Sequence, residues 1–227
     1  MVSLAGKLIV IEGLDGSGKA TQTKLLFDNI KKFCTKKDVI QISFPDYDQP
    51  SSSLVKMYLN GEFGNEPESV NAYAASSFFA VDRYASYIKF WRKNYLSDSI
   101  ILADRYSTSN FTYQMIKLKK DDWDKYIDWS CDYEYVKLGL PKPDVVIYLD
   151  MPPETSQALM SKRYCGNEEK KDLHERNIQF LKNCRKAALY SAKKLNWNVV
   201  NCAVDGKPRT ISNIQNDILD VVKKVVF

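Results

Sequence analysis

Residues 12–22, EGLDGSGKATQ, follow the apolar run KLIVI at 7–11. Gly13, Gly18 and Lys19 stand at the spacing G-x-x-x-x-G-K, the signature of a phosphate-cradling P-loop between a strand and a helix. Such a loop works through its backbone. Small residues at Gly13, Gly16, Ser17 and Gly18 let successive amides turn inward toward an anion, and a helix starting at Gly18 adds unpaired amides and a positive dipole end. Lys19 supplies a mobile cation for the β and γ phosphates. The segment behind it carries Leu25, Leu26, Phe27, Ile30 and Phe33 at helical spacing, with Lys24, Lys31 and Lys32 outward. In that context the motif points to a nucleoside triphosphate. One position departs from the pattern: the residue after the lysine, usually a magnesium-binding Ser or Thr, is Ala20, and Thr21 is the next hydroxyl.

Two other constellations have chemical potential. An apolar run at 99–103 ends in Asp104-Arg105-Tyr106, followed by Ser107, Thr108, Ser109 and Asn110. A carboxylate closing a buried strand in a P-loop protein is placed to hold Mg²⁺ through water, and the neighbouring guanidinium offers a planar fork for a second phosphate. A purely structural Asp–Arg pair is the alternative. Phe79 and Arg83 are four residues apart on a long helical pattern from 67 to about 95, so they share one face. A ring and a guanidinium at that spacing can stack on a planar base and bond its carbonyl edge. By spacing alone, however, Phe79 reads as core and Arg83 as surface.

The elements that must position these residues alternate. Apolar runs at 39–44, 99–103, 144–149 and 198–201 join the first strand, with helical patterns between them. That order implies right-handed crossovers and a parallel sheet of about five strands, flanked by helices. Ligands of such sheets gather beyond the carboxyl ends of the strands, where the P-loop, Phe44-Pro45-Asp46-Tyr47 and Asp104-Arg105 all lie. Residues 50–53 read as a helix entry, with a stop near Asn60-Gly61, and Leu140-Pro141-Lys142-Pro143 breaks a helix before the fourth strand. The charged stretch KRYCGNEEKKD at 162–172 reads as a mobile loop between two helices, a lid within one domain spanning 1–227.

Composition sets the outer bounds. With 227 residues, 44% hydrophobic and 27% charged, the chain suits one α/β core. No apolar run reaches the length needed to span a bilayer, and no signal-peptide layout is present, so a cytoplasmic location is expected. The net charge of +5 is spread along the chain and favours anionic substrates over nucleic acid. Five scattered cysteines without a C-x-x-C pair indicate reduced thiols, neither a disulfide framework nor a zinc site.

Taken together, EGLDGSGKATQ, FPDY, FFAVDR, DRYSTSNFTYQ, LGLPKPDVVIYLD and the later DLHE resemble the bacterial thymidylate kinases, in their order and at their spacing, from about residue 7 to 205. The resemblance implies a three-layer P-loop NTPase fold, transfer of the γ-phosphate of ATP to dTMP with Mg²⁺, and a homodimer. It assigns Phe79 to stacking on thymine, Arg83 to the thymine O4, and Arg105 to the acceptor phosphate. Asp104 falls near the magnesium, Ser109 and Asn110 along the base, and Tyr113 beside the sugar. Asp15 lies close to the sugar 3′-hydroxyl and the acceptor phosphate, Phe44 on the acceptor side, and Glu175 at a second sugar or metal-site carboxylate. The loop residues Leu14, Asp15, Gly16 and Ser17 include no cation, so the lid must supply the catalytic one, with Arg163 first in line and Lys162, Lys170 and Lys171 behind it. Asp46 stands where many relatives have a basic residue, which implies that one phosphate contact is either lost or moved to Tyr47. Ala72, Ala74, Ala75 and Phe78 offer a helix–helix seam for a dimer. Two other readings remain: a kinase for dUMP, dCMP or thymidine, and a P-loop switch, which would need a guanine-reading N-K-x-D motif that is not found.

Overall fold

The computed structural model describes residues 5–64, 66–163 and 178–226. β1 (Lys7–Gly13) leads into α1 (Lys19–Phe33), then β2 (Val39–Ser43), α2 (Ser53–Leu59) and α3 (Ala72–Ser86). A π-helical turn, Tyr87–Trp91, carries α3 into α4 (Arg92–Leu96), and β3 (Ile100–Asp104) follows. Next come α5 (Ser109–Tyr113), α6 (Trp123–Cys131), a second π turn (Asp132–Lys137) and β4 (Val145–Asp150). The chain closes with α7 (Pro153–Arg163), α8 (Ile178–Leu195), β5 (Asn198–Asn201), the two-residue strands β6 (Ala203–Val204) and β7 (Lys207–Pro208), and α9 (Ile211–Val226).

The five main strands pair in parallel in the order β2-β3-β1-β4-β5, as expected from the alternation of runs. Side-chain alternation divides β1 between two cores. Leu8 and Val10 join Ile101, Ala103, Val146 and Tyr148 against Trp91, Tyr126, Ile127 and Ala188 on one face. Ile9 and Ile11 join Ile100, Leu102, Ile147 and Leu149 against Leu26 and Ile30 of α1 and Ile214, Ile218 and Val222 of α9 on the other. Helices on both faces explain why β1 and β4 read as unbroken apolar runs.

Differences from the expected boundaries are small. β1 extends two residues beyond Ile11 to Gly13, and β3 and β4 each sit one residue later than the apolar runs suggest. The long helical pattern begins at Ala72, where the Asn71 side chain accepts from Ala74 N at 2.9 Å and caps the helix. The β6–β7 hairpin was not expected. Its signal was nonetheless present, since Asp205 and Gly206, with φ of 49° and 72°, form a two-residue turn of the kind Asp-Gly favours.

Candidate active site

β1 lies between β3 and β4, so its carboxyl end opens at the point where successive connections leave the sheet in opposite directions. The register does the rest. Ile11 pairs with Asp104, and Arg105 N donates to Ile11 O at 3.0 Å, so the Asp104-Arg105 pair is brought beside the start of the P-loop. Gly13 sits where a β-carbon would approach Leu149 O of β4 to 3.0 Å and Ser17 Oγ to 2.6 Å. Gly18, at φ 89°, caps α1 in a conformation that L side chains rarely adopt. The loop can therefore turn tightly against the sheet, and the first amides of α1 have no partner within the helix.

These strand ends surround a cavity of about 320 Å³. Gly16, Gly18, Lys19, Ala20 and Thr21 of the phosphate loop line it, together with Asp15, Asp104, Arg105 and Tyr113. Phe44, Tyr47, Phe79, Arg83, Ser109 and Asn110 line it too. Nearly every site residue expected within the described part of the chain thus meets one space; Gly13 and Ser17 shape the loop behind it. Asp46 does not face the cavity: its amide donates to Asp82 Oδ2 at 2.8 Å, and Tyr47 takes the wall position.

The centre is electrostatically dense. Arg105 donates through Nη2 to Asp15 Oδ1, and Tyr113 OH donates to Asp15 Oδ2 at 3.2 Å. Lys19 Nζ lies 3.6 Å from Asp15 Oδ1 and donates to Leu14 O at 2.9 Å. Burial pushes the Asp15 carboxyl up, but Arg105 and Lys19 outweigh it and hold the group well below the usual carboxylate range. Burial and then Arg105 push the Lys19 ammonium down. For Arg105, burial is outweighed by Asp15, Tyr113, Glu12 and Asp104, which hold it firmly protonated. Arg105 also adopts φ 67°, an uncommon conformation for a residue with a side chain.

Three residues of the site escaped the sequence reading. Glu12 is fully buried and accepts from Thr108 Oγ1 at 2.6 Å, from Ser109 Oγ at 2.9 Å and from Tyr106 N at 3.2 Å, which ties the P-loop to the turn bearing Arg105. Burial pushes its carboxyl up, against the pull of Arg105 and these donors. A carboxylate ending an apolar strand, the signal that singled out Asp104, is present at Glu12 too. Gln114 is buried on the cavity wall and receives a 3.4 Å bond from Tyr58 OH. Glu134 lies behind the wall and grips Arg83, with Nε to Oε2 at 2.7 Å and Nη2 to Oε1 at 2.6 Å.

This overturns the assignment that spacing alone suggested for the helix pair. Arg83 is 1% exposed and ion-paired, whereas Phe79 is only half-buried and faces the cavity. A buried guanidinium needs a counter-charge, and Glu134, 51 residues away in sequence, supplies it. Ser109 gives its hydroxyl to Glu12, so its role in the site begins with holding the turn. Ala72 and Ala75 are buried in the chain's own core and cannot form an external seam. The expected lid at 162–172 begins inside α7, which Arg163 ends, but the Arg163 side chain and residues 164–172, with Lys170 and Lys171, lie outside the described residues, as does Glu175.

A bound divalent ion is chemically compatible with what is here. Among the described residues no cluster of three or more acidic, His or Cys side chains could hold a metal by itself. Asp104 and Thr21 nevertheless line the same cavity as the phosphate loop, and that sparse oxygen set suits Mg²⁺, which binds through one or two protein groups, water and substrate phosphates. No helix among the described residues is long and apolar enough to cross a membrane.

Comparison with known proteins agrees with this geometry. A family model described as thymidylate kinase matches residues 11–217. The thymidylate kinase of Caenorhabditis elegans is 31% identical over 158 residues, covering 66% of each chain. That of Mycobacterium tuberculosis is 30% identical over 211 residues, covering 87% of this chain and 92% of the relative. A nematode and a bacterial enzyme are equally similar, so the match is to the family as a whole. Among solved structures, the Candida albicans thymidylate kinase superposes with a TM-score of 0.71 at 24% identity, over 97% of this chain and 92% of the other. The Ehrlichia chaffeensis thymidylate kinase gives 0.61 at 18% identity, over 96% and 100%. At those identities the superpositions speak to the fold.

Proposed function

The chain belongs to the thymidylate kinase family, and from that premise we propose how its residues divide the reaction. The enzyme transfers the γ-phosphoryl group of ATP to dTMP, giving ADP and dTDP for dTTP synthesis. The observation that carries the assignment of roles is that one cavity is lined by the Lys19 loop, the Asp15–Arg105 pair, Phe79 and Arg83 together.

Two anions must be held in line against their repulsion, and the acceptor phosphate oxygen is itself the nucleophile. The P-loop amides from Gly16 to Thr21, with Lys19, hold the donor phosphates. Arg105 holds the acceptor phosphate, which must compete with Asp15 for the same guanidinium; Asp15, so displaced, is free to accept from the sugar 3′-hydroxyl. Phe79 stacks on the base, Arg83 donates to O4, Asn110 and Ser109 line the base edge, Tyr113 crowds the sugar and Phe44 closes the acceptor side. Asp104 and Thr21 are the residues that would hold Mg²⁺, which would supply neutralising charge for the donor phosphates when bound. Ala20 leaves that site one hydroxyl short and therefore looser. Arg163 supplies the lid cation, Glu175 a second carboxylate, and closure of the lid excludes water. We take the chain as one domain with a lid at about 162–172, working in the cytoplasm without a nucleic-acid partner. We place a homodimer contact on the outer face of α3 and the π turn that continues it, where Val81, Tyr84 and Ile88 are exposed at helical spacing.

A coupled ADP-release assay across dTMP, dUMP, dCMP and thymidine tests the reaction. Release with dTMP well above the others is expected. Silence with every acceptor would remove the kinase reading, and a preference for thymidine would move the acceptor from phosphate to hydroxyl.

A further inference from the structure

We propose that Glu134 is a positioning residue that sets the hydrogen-bond polarity of the base end of the pocket, and so selects a pyrimidine with a 4-keto group and an N3–H. The inference rests on the acceptor site proposed above and adds a residue that never touches the substrate. Its carboxylate is 1% exposed and makes three bonds to two cavity-lining side chains. Oε2 accepts from Arg83 Nε at 2.7 Å; Oε1 accepts from Arg83 Nη2 at 2.6 Å and from Asn110 Nδ2 at 3.0 Å.

Each bond dictates what its donor can still offer. The side-on grip uses two of the five guanidinium N–H donors, so the three that remain, two on Nη1 and one on Nη2, are all a side chain lining the cavity can offer, and all are donors. A carboxylate can only accept, so Asn110 must give it the amide nitrogen, and Oδ1 is left for the ligand. The pocket therefore shows a fixed donor beside a fixed acceptor. Thymine and uracil present the complement, with O4 accepting and N3–H donating. Cytosine presents the reverse and would leave both side chains unsatisfied in a buried site, the arrangement that gives strong rejection.

Two further features set Glu134 apart from an ordinary ion-pair partner. It is carried on the π-helical turn Asp132–Lys137, a local departure from α geometry of the sort often found at functional sites. A fully buried ion pair also adds little net stability over an apolar pair of similar size, so its use lies in the geometry it holds.

The experiment compares wild type with Glu134→Asp and Glu134→Gln, using dTMP, dCMP and the 3-deaza analogue of dTMP, in which C–H replaces N3–H. The shorter carboxylate of the Asp variant cannot span both Arg83 and Asn110, while Gln lets the Asn110 amide reverse. In folded variants the dTMP-over-dCMP ratio of kcat/KM should fall about 100-fold, with KM for ATP unchanged. Wild type should lose about tenfold in binding the 3-deaza analogue, and the Asp variant should lose little more. Should neither variant fold, the wild-type measurement still decides: a 3-deaza analogue bound as tightly as dTMP overturns the proposal. An unchanged dTMP-over-dCMP ratio in folded variants, with only thermal stability reduced, overturns it as well. Wild type that releases no ADP with dTMP would instead sink the acceptor assignment itself.

Discussion

Asp15 illustrates how much a single side chain depends on its neighbours in this site. It lies in the P-loop, where the sequence marks it as a potential ligand contact, yet in the fold it is the counter-ion of both Arg105 and Lys19. Its folded pKa is depressed, so the stabilisation it contributes is present above its unfolded value near 3.8 and is lost as pH falls toward the folded one. Asp15→Asn should therefore cost about 2 kcal/mol at pH 7, and the gap from wild type should close as pH drops through 4 and below. Thermal melts of both proteins from pH 7 to pH 3 measure this. A gap that stays constant over the range would mean that Asp15 is not a charged partner of the pair. Glu12 has the opposite sign: its raised pKa gives stability that is present at low pH and lost as pH rises, so the two carboxylates partly offset each other in acid.

At the scale of elements, the strands and their exits were readable because their signals are local. An unbroken apolar run marks a strand buried on both faces, and the glycines of the P-loop mark a turn that other residues would strain. Those signals placed all five main strands to within two residues and located α1 at its Gly18 cap. The elements around α7 are a different matter. The family resemblance implies that the catalytic cation comes from the lid at about 162–172, which begins within the last turn of α7, because Leu14, Asp15, Gly16 and Ser17 carry no positive charge. If Arg163 at the end of α7 fills that role, Arg163→Ala should lower kcat by about 100-fold or more while KM for dTMP changes less than threefold. Steady-state kinetics decide the point, and unchanged turnover would pass the role to a lid lysine.

At the scale of the whole molecule, α3 has two occupations. Its inner face carries Arg83 into the site, while Val81 and Tyr84 on its outer face and Ile88 on the π turn that follows remain 47%, 41% and 47% exposed. Exposed apolar side chains at helical spacing suit a symmetric contact with a second copy, in which one α3 lies against another. The double substitution Val81→Glu and Ile88→Glu should give a monomer in sedimentation velocity at micromolar concentration, where the unmodified protein is expected to sediment as a dimer. A dimer that persists in the variant would move the contact to another face.

The amino-acid sequence by itself determined the strand–loop–helix that cradles phosphate, the parallel alternation around it, and which strand ends carry Asp104 and Arg105. These are encoded in neighbouring residues, through apolar periodicity and the conformational freedom of glycine. Only the tertiary structure decided how charge is balanced: Arg105 with Asp15 across 90 residues, Arg83 with Glu134 across 51, and Asn110 with Glu134 across 24. A buried charge must find its partner wherever folding brings one, and no local pattern in the chain announces which residue that will be. For that reason Phe79 and Arg83 were readable as a pair but were assigned by spacing to the wrong depths, and Glu134, which holds one of them in place, was not readable at all.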